Sequence, residues 1–126
     1  MILRFVLFVS VICIYTTVAE KLPIKPKILH SEYFTNANIT NDVQGAVVLK
    51  SNMPVQVQNQ LAAALTTIYQ GTSDPMQRLQ QFQTAVTRLY AMYWNVVSNF
   101  SYITFYNQYF IYLQINSDQV LAFGLS

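Results

Sequence analysis

From Trp94 onward the hydrophobic pattern of this chain changes period, and that change constrains the fold more than any other feature. Tyr102-Ile103-Thr104-Phe105-Tyr106 and Tyr109-Phe110-Ile111-Tyr112-Leu113 are aromatic and β-branched runs, which fit a pleated surface better than a helix. The short apolar pair Val96-Val97 precedes them and Gln119-Val120-Leu121-Ala122-Phe123 follows. Asn107-Gln108 and Asn116-Ser117-Asp118 supply turn residues between the runs, so four consecutive strands are predicted.

Upstream, two stretches repeat at three and four residues instead. A short strand is predicted at residues 46–50, and Pro54 suits the first turn of the helix that follows it. Val57, Leu61, Ala64, Leu65 and Ile68 then line one helical face, with Gly71 as the expected stop. The second helix opens on Asp74 as cap, Pro75 at the first helical position and Gln77 as the far half of a capping box. Met76, Leu79, Phe82, Val86, Leu89, Tyr90 and Tyr93 form its apolar stripe, while Gln80, Gln81, Gln83, Thr84 and Thr87 make an uncharged polar face. The order β-α-α-β-β-β-β predicts an α+β domain over residues 46–126, two helices packed on an antiparallel sheet.

The N-terminal third reads differently. Residues 1–19 have the plan of a secretory signal peptide: Arg4, an apolar core at residues 5–15, and Thr17-Val18-Ala19 before the expected cleavage point. That core is shorter than the roughly 20 residues that span a bilayer, so no membrane attachment is expected after cleavage. Cleavage removes Cys13, the single cysteine, and the exported chain would be held without disulfides. Asn38 and Asn99 each begin an Asn-x-Ser/Thr glycan acceptor, in keeping with a secreted or lumenal protein. Residues 20–45 read as an extended linker, because Pro23 and Pro26 alternate with lysines and Asn36, Asn38, Asn41 and Asp42 follow.

Composition excludes several functions. The 53% hydrophobic content is too high for a disordered chain. A net charge of +2 is too small for an electrostatic nucleic-acid footprint. The single histidine, His30, falls in the linker, and the acids Glu20, Glu32, Asp42, Asp74 and Asp118 are scattered over loops and caps. No catalytic residues, metal site or cofactor are therefore expected.

Three stretches resemble the small cytoplasmic dynein light chain family, the class that forms strand-exchanged dimers. Residues 48–53 (Val-Leu-Lys-Ser-Asn-Met) are similar to its first strand and the lead-in to its first helix. Tyr90 and Trp94 match aromatics at the end of its second helix, and residues 102–112 resemble its Tyr-Val-Thr…Phe-Ile-Tyr run without a gap. Gln119-Val120 parallels the opening of its last strand.

The resemblance implies a non-enzymatic homodimer that binds short extended peptide segments of partner proteins by β-augmentation. It implies a subunit or adaptor of the dynein microtubule motor, here as a secreted derivative. Carried over by position, the implied groove is Lys50, Ser51, Asn99, Phe100, Ser101, Tyr102, Ile103, Thr104, Phe110 and Tyr112. The implied dimer interface is Trp94, Asn95, Phe100 and Tyr102. Pro75-Met76 stands where the family has a Glu-Lys pair, and Asn95 stands where it has a histidine. A secreted small-ligand carrier and a self-associating structural protein are the alternative readings.

Overall fold

The computed structural model describes residues 24–34 and 43–126. The signal peptide expected over residues 1–19, and the acceptor Asn38, lie outside the described residues. The chain is α+β, with two helices packed against antiparallel sheets. Strand β1 (Lys27–His30) runs into one 3-10 turn (Ser31–Phe34). Strand β2 (Val43–Ser51) leads to helices α1 (Val55–Gly71) and α2 (Pro75–Leu89). Strands β3 (Tyr93–Ser98), β4 (Thr104–Asn107), β5 (Tyr109–Asn116) and β6 (Asp118–Leu125) complete the order.

The helix boundaries follow from local chemistry. Asp74 accepts the Met76 amide at 3.2 Å, and Pro75 opens α2 where a missing N–H costs nothing. Gln77 does not close the expected capping box. Its side-chain oxygen accepts from the Thr72 hydroxyl at 3.0 Å instead. Gly71 is the last residue of α1, and no glycine has a positive φ, so its conformational freedom is not what ends the helix. Arg78 performs that role from α2: Nε donates to the Thr72 carbonyl at 2.6 Å and Nη2 to the Tyr69 carbonyl at 3.2 Å. The guanidinium thus covers carbonyls that a helix end leaves without partners.

The main sheet has the order β2-β5-β6-β3, with every neighbour antiparallel. Strands β5 and β6 form a hairpin in which Ile115 faces Asp118, and Asn116 takes the left-handed φ of 51° that asparagine tolerates. Strand β5 is buried on both faces. Ile111, Leu113 and Ile115 belong to the helix-side core with Leu61, Leu65, Phe82, Val86 and Trp94. Phe110 and Tyr112 belong to a second core with Phe34, Phe105 and Leu121. That division is the period-two alternation of a strand. Trp94 lies across Gly124, where a Cβ would meet its ring at 2.8 Å, and its indole N–H donates to the Tyr90 carbonyl at 2.8 Å.

Two stretches depart from expectation. The run at residues 102–106 yields only the short β4, and Asn107-Gln108 does not turn β4 back onto β5. The buried Gln108 donates its amide to the Gly124 carbonyl at 2.8 Å, carrying the chain from one layer to the other. Strand β4 then pairs with β1, from Lys27 opposite Asn107 to His30 opposite Thr104. Part of the stretch read as a linker is therefore built into the fold, with Phe34 only 3% exposed.

Candidate functional site

Beside the second core, next to Ile103, lies an open hollow of about 630 Å³. Ser101, Tyr102, Ile103 and Thr104 line one wall, and His30, Ser31 and Glu32 line the other. The first wall is fixed at its origin by Asn99, which adopts φ 52°. Its amide nitrogen Nδ2 donates to Asp118 Oδ1 at 2.9 Å, while its Oδ1 accepts the Gln119 amide at 2.9 Å. Asp118 Oδ2 accepts the Tyr69 hydroxyl at 2.8 Å, and the Tyr112 hydroxyl donates to Gln119 at 3.0 Å. One polar chain thus ties α1, β5, β6 and the start of the groove wall together.

Burial, then the hydrogen bond and negative charge of Asp118, pushes the Tyr69 phenol well above its ordinary value; the nearby Arg78 only partly opposes this. Burial alone raises Tyr112. A folded-state value above the unfolded one means stability is complete below pH 10.0 and lost as pH rises beyond it. Denaturant midpoints are therefore expected to hold steady through neutral pH and fall above pH 10.0, with Tyr69→Phe removing part of the fall. An unchanged alkaline decline in that variant would contradict the assignment.

The chain's own residues 24–34 dock along the β4 edge, and His30, Ser31 and Glu32 of that segment make the second wall of the hollow. Ser31 donates its amide to the Ile103 carbonyl at 2.8 Å and its hydroxyl to the same oxygen at 2.9 Å. The Ile103 amide donates back to the Ser31 hydroxyl oxygen. Beyond it, Phe34 enters an aromatic pocket with ring centres 4.7 Å from Tyr112, 6.0 Å from Phe100 and 6.1 Å from Phe110. Lys50 donates its ammonium to the Tyr33 carbonyl and stands 4.2 Å over the Tyr33 ring. At the other end, Gln108 Nε2 donates to the Ile24 carbonyl at 2.7 Å and Asn107 Nδ2 to the Lys27 carbonyl at 3.2 Å.

Six of the ten residues assigned to the groove by resemblance therefore meet around one segment: Lys50, Phe100, Ile103, Thr104, Phe110 and Tyr112. Ser101 and the 91% exposed Tyr102 stand at the rim. Ser51 is turned to structure, its hydroxyl donating to the Phe110 carbonyl at 2.8 Å. Asn99 braces the wall and does not line it. Of the residues assigned to the dimer interface, Trp94 is buried in the helix-side core. Asn95 is exposed on β3, where it lines a smaller hollow of about 330 Å³ beside Met76 and Leu79.

Ser31, Tyr33, Phe34, Asn107 and Gln108 were not legible as site residues. The adjacent Tyr33-Phe34 pair in an otherwise polar stretch was the one available signal. Among the described residues no three His, Cys, Asp or Glu side chains gather as a metal site, and no helix is long and apolar enough to cross a membrane. No protein-family model matches the chain, and no curated protein matches it.

Proposed function

We propose that this chain is a dynein light chain-like, non-enzymatic module that dimerises and holds short extended peptide segments by β-augmentation. The observation that carries the reading is the β1–β4 pairing, continued through Ser31 to the Phe34 pocket. Backbone hydrogen bonds to a strand edge supply affinity and one side-chain pocket supplies selectivity, the general form of strand-addition recognition. The Ser31 hydroxyl is committed to Ile103 on both its donor and acceptor sides, which argues against its use as a nucleophile.

Dimerisation is supported by two strand edges. Among the described residues β3 pairs with β6 alone and β4 with β1 alone, so each keeps one edge without a strand. Reciprocal pairing of β4 with the partner's β3 would satisfy both edges under one two-fold axis. Light scattering on the full chain is expected to give twice the chain mass. A monomer at every concentration would contradict the dimer.

The peptide reading is tested by amide chemical shifts during titration with extended peptides, and with a panel of lipids and small aromatics. Shifts centred on Ile103 and β4 with peptides alone are expected. Shifts produced only by lipids or aromatics would replace this reading with a small-ligand carrier. The secreted setting predicts that mass spectrometry finds the exported chain beginning at Glu20. An intact Met1 in cytosolic extract would contradict it.

A further inference from the structure

We infer that residues 24–34 are a built-in ligand of the β4 edge and the aromatic pocket beside it, so that a partner must displace them, and that the displacing segment carries serine followed three residues later by phenylalanine. The inference rests on the peptide-binding reading above and adds to it the state of the groove and the chemistry of its partner.

The contacts of this segment are largely those an extended peptide makes with a strand edge and one pocket. The hydrogen bonds that Gln108, Asn107 and Lys50 give it end on main-chain carbonyls, those of Ile24, Lys27 and Tyr33, which any extended peptide presents. On β1, Lys27 and His30 are exposed and Ile28 is 47% exposed, while Leu29 alone packs against the second core. Selectivity falls chiefly on the Ser31 hydroxyl at Ile103 and the Phe34 ring in its aromatic pocket, with Leu29 and the half-exposed Tyr33 ring packing beside them. Their spacing, Ser31-Glu32-Tyr33-Phe34, defines the pattern a competitor must reproduce.

The helix-side core does not depend on the segment. Among the described residues, neither its buried members nor the partly buried ones packed against it include any that precede Ala46. A segment outside that core can open and close without unfolding the rest. The apparent affinity of a partner then falls by the fraction of molecules whose groove is open.

The test uses a labelled synthetic peptide with the sequence of residues 24–34. It is titrated against the full chain and against the full chain carrying Phe34→Ala. The variant is expected to bind at least about ten-fold more tightly, since its own segment no longer competes. A peptide with alanine in place of its phenylalanine is expected not to bind either chain. A folded variant that binds no better than the unaltered chain would overturn the inference.

Should Phe34→Ala fail to fold, the full chain is cut after folding, at a protease sequence inserted between Phe34 and Val43. Exchange of the severed segment for labelled peptide supports the inference; retention without exchange, or unfolding when it leaves, overturns it. Unrelated extended peptides that bind both chains equally would leave the groove reading intact and remove the built-in ligand. Failure of every peptide on every version would remove both.

Discussion

Phe34→Ala will weaken the docking of residues 24–34 by about 3–5 kcal/mol, the usual consequence of emptying a buried phenylalanine site. The ring is 3% exposed and has aromatic neighbours on several sides, so little can collapse into the space. The melting temperature of the sheet and helices will move far less than that figure implies. The comparison is Phe82→Ala, at a site with no exposure at all between α2 and the sheet. That change should cost a similar amount, about 3–5 kcal/mol, and the whole chain should feel it. Thermal denaturation separates the two: Phe82→Ala shifts the main transition strongly, while Phe34→Ala leaves it nearly in place and frees β1. Equal shifts would mean that the N-terminal segment is part of the cooperative core.

Gly124→Ala gives the second large effect, for the opposite reason. A Cβ at this position lies 2.8, 2.9 and 3.0 Å from three atoms of the Trp94 ring. The indole cannot easily withdraw, because its N–H is bonded to the Tyr90 carbonyl and its body is buried in the helix-side core. Overpacking of this kind costs about 1–3 kcal/mol. For a domain of this size each kcal/mol lowers the midpoint by about 4–8 °C. Trp94 fluorescence should shift with the same transition. A variant as stable as the parent would show that Trp94 has room that the packing around Gly124 denies.

The fold was legible where one residue type has one physical reason to be in place. Asp74-Pro75 could hardly be anything but a helix start, and Asn116-Ser117 between two β-branched runs could hardly be anything but a hairpin. The α+β layering followed from those two signals and the two apolar helix stripes. The sequence was silent where tertiary contacts decide. Asn107-Gln108 reads as a turn, yet a buried glutamine bonded to the Gly124 carbonyl turns the same two residues into a crossing between layers. Gly71 reads as a helix stop, while Arg78, from the next helix, does the capping.

The site was half legible for a similar reason. The resemblance placed Phe110 and Tyr112 at the groove, and in the structure they form a second buried face of β5 that needs cover. What covers that face did not follow from periodicity. Lys27–His30 is only four residues long and preceded by prolines, too short for a period to emerge. Its docking depends on Ser31 and Phe34, both beyond its end, and on carbonyls that have no sequence signature.

Hydrogen exchange on the full chain, followed amide by amide, tests the central claim that the β4 edge takes an extended segment reversibly. Amides of β1 and β4 should exchange together through an opening much cheaper than global unfolding, while those of Leu113 and Leu121 wait for the whole domain. Excess peptide bearing the Ser-x-x-Phe pattern should slow the β4 amides and leave those of the freed β1 unprotected. Exchange of β1 and β4 only at the pace of Leu113 and Leu121 would make the segment a permanent strand, and the groove a piece of core.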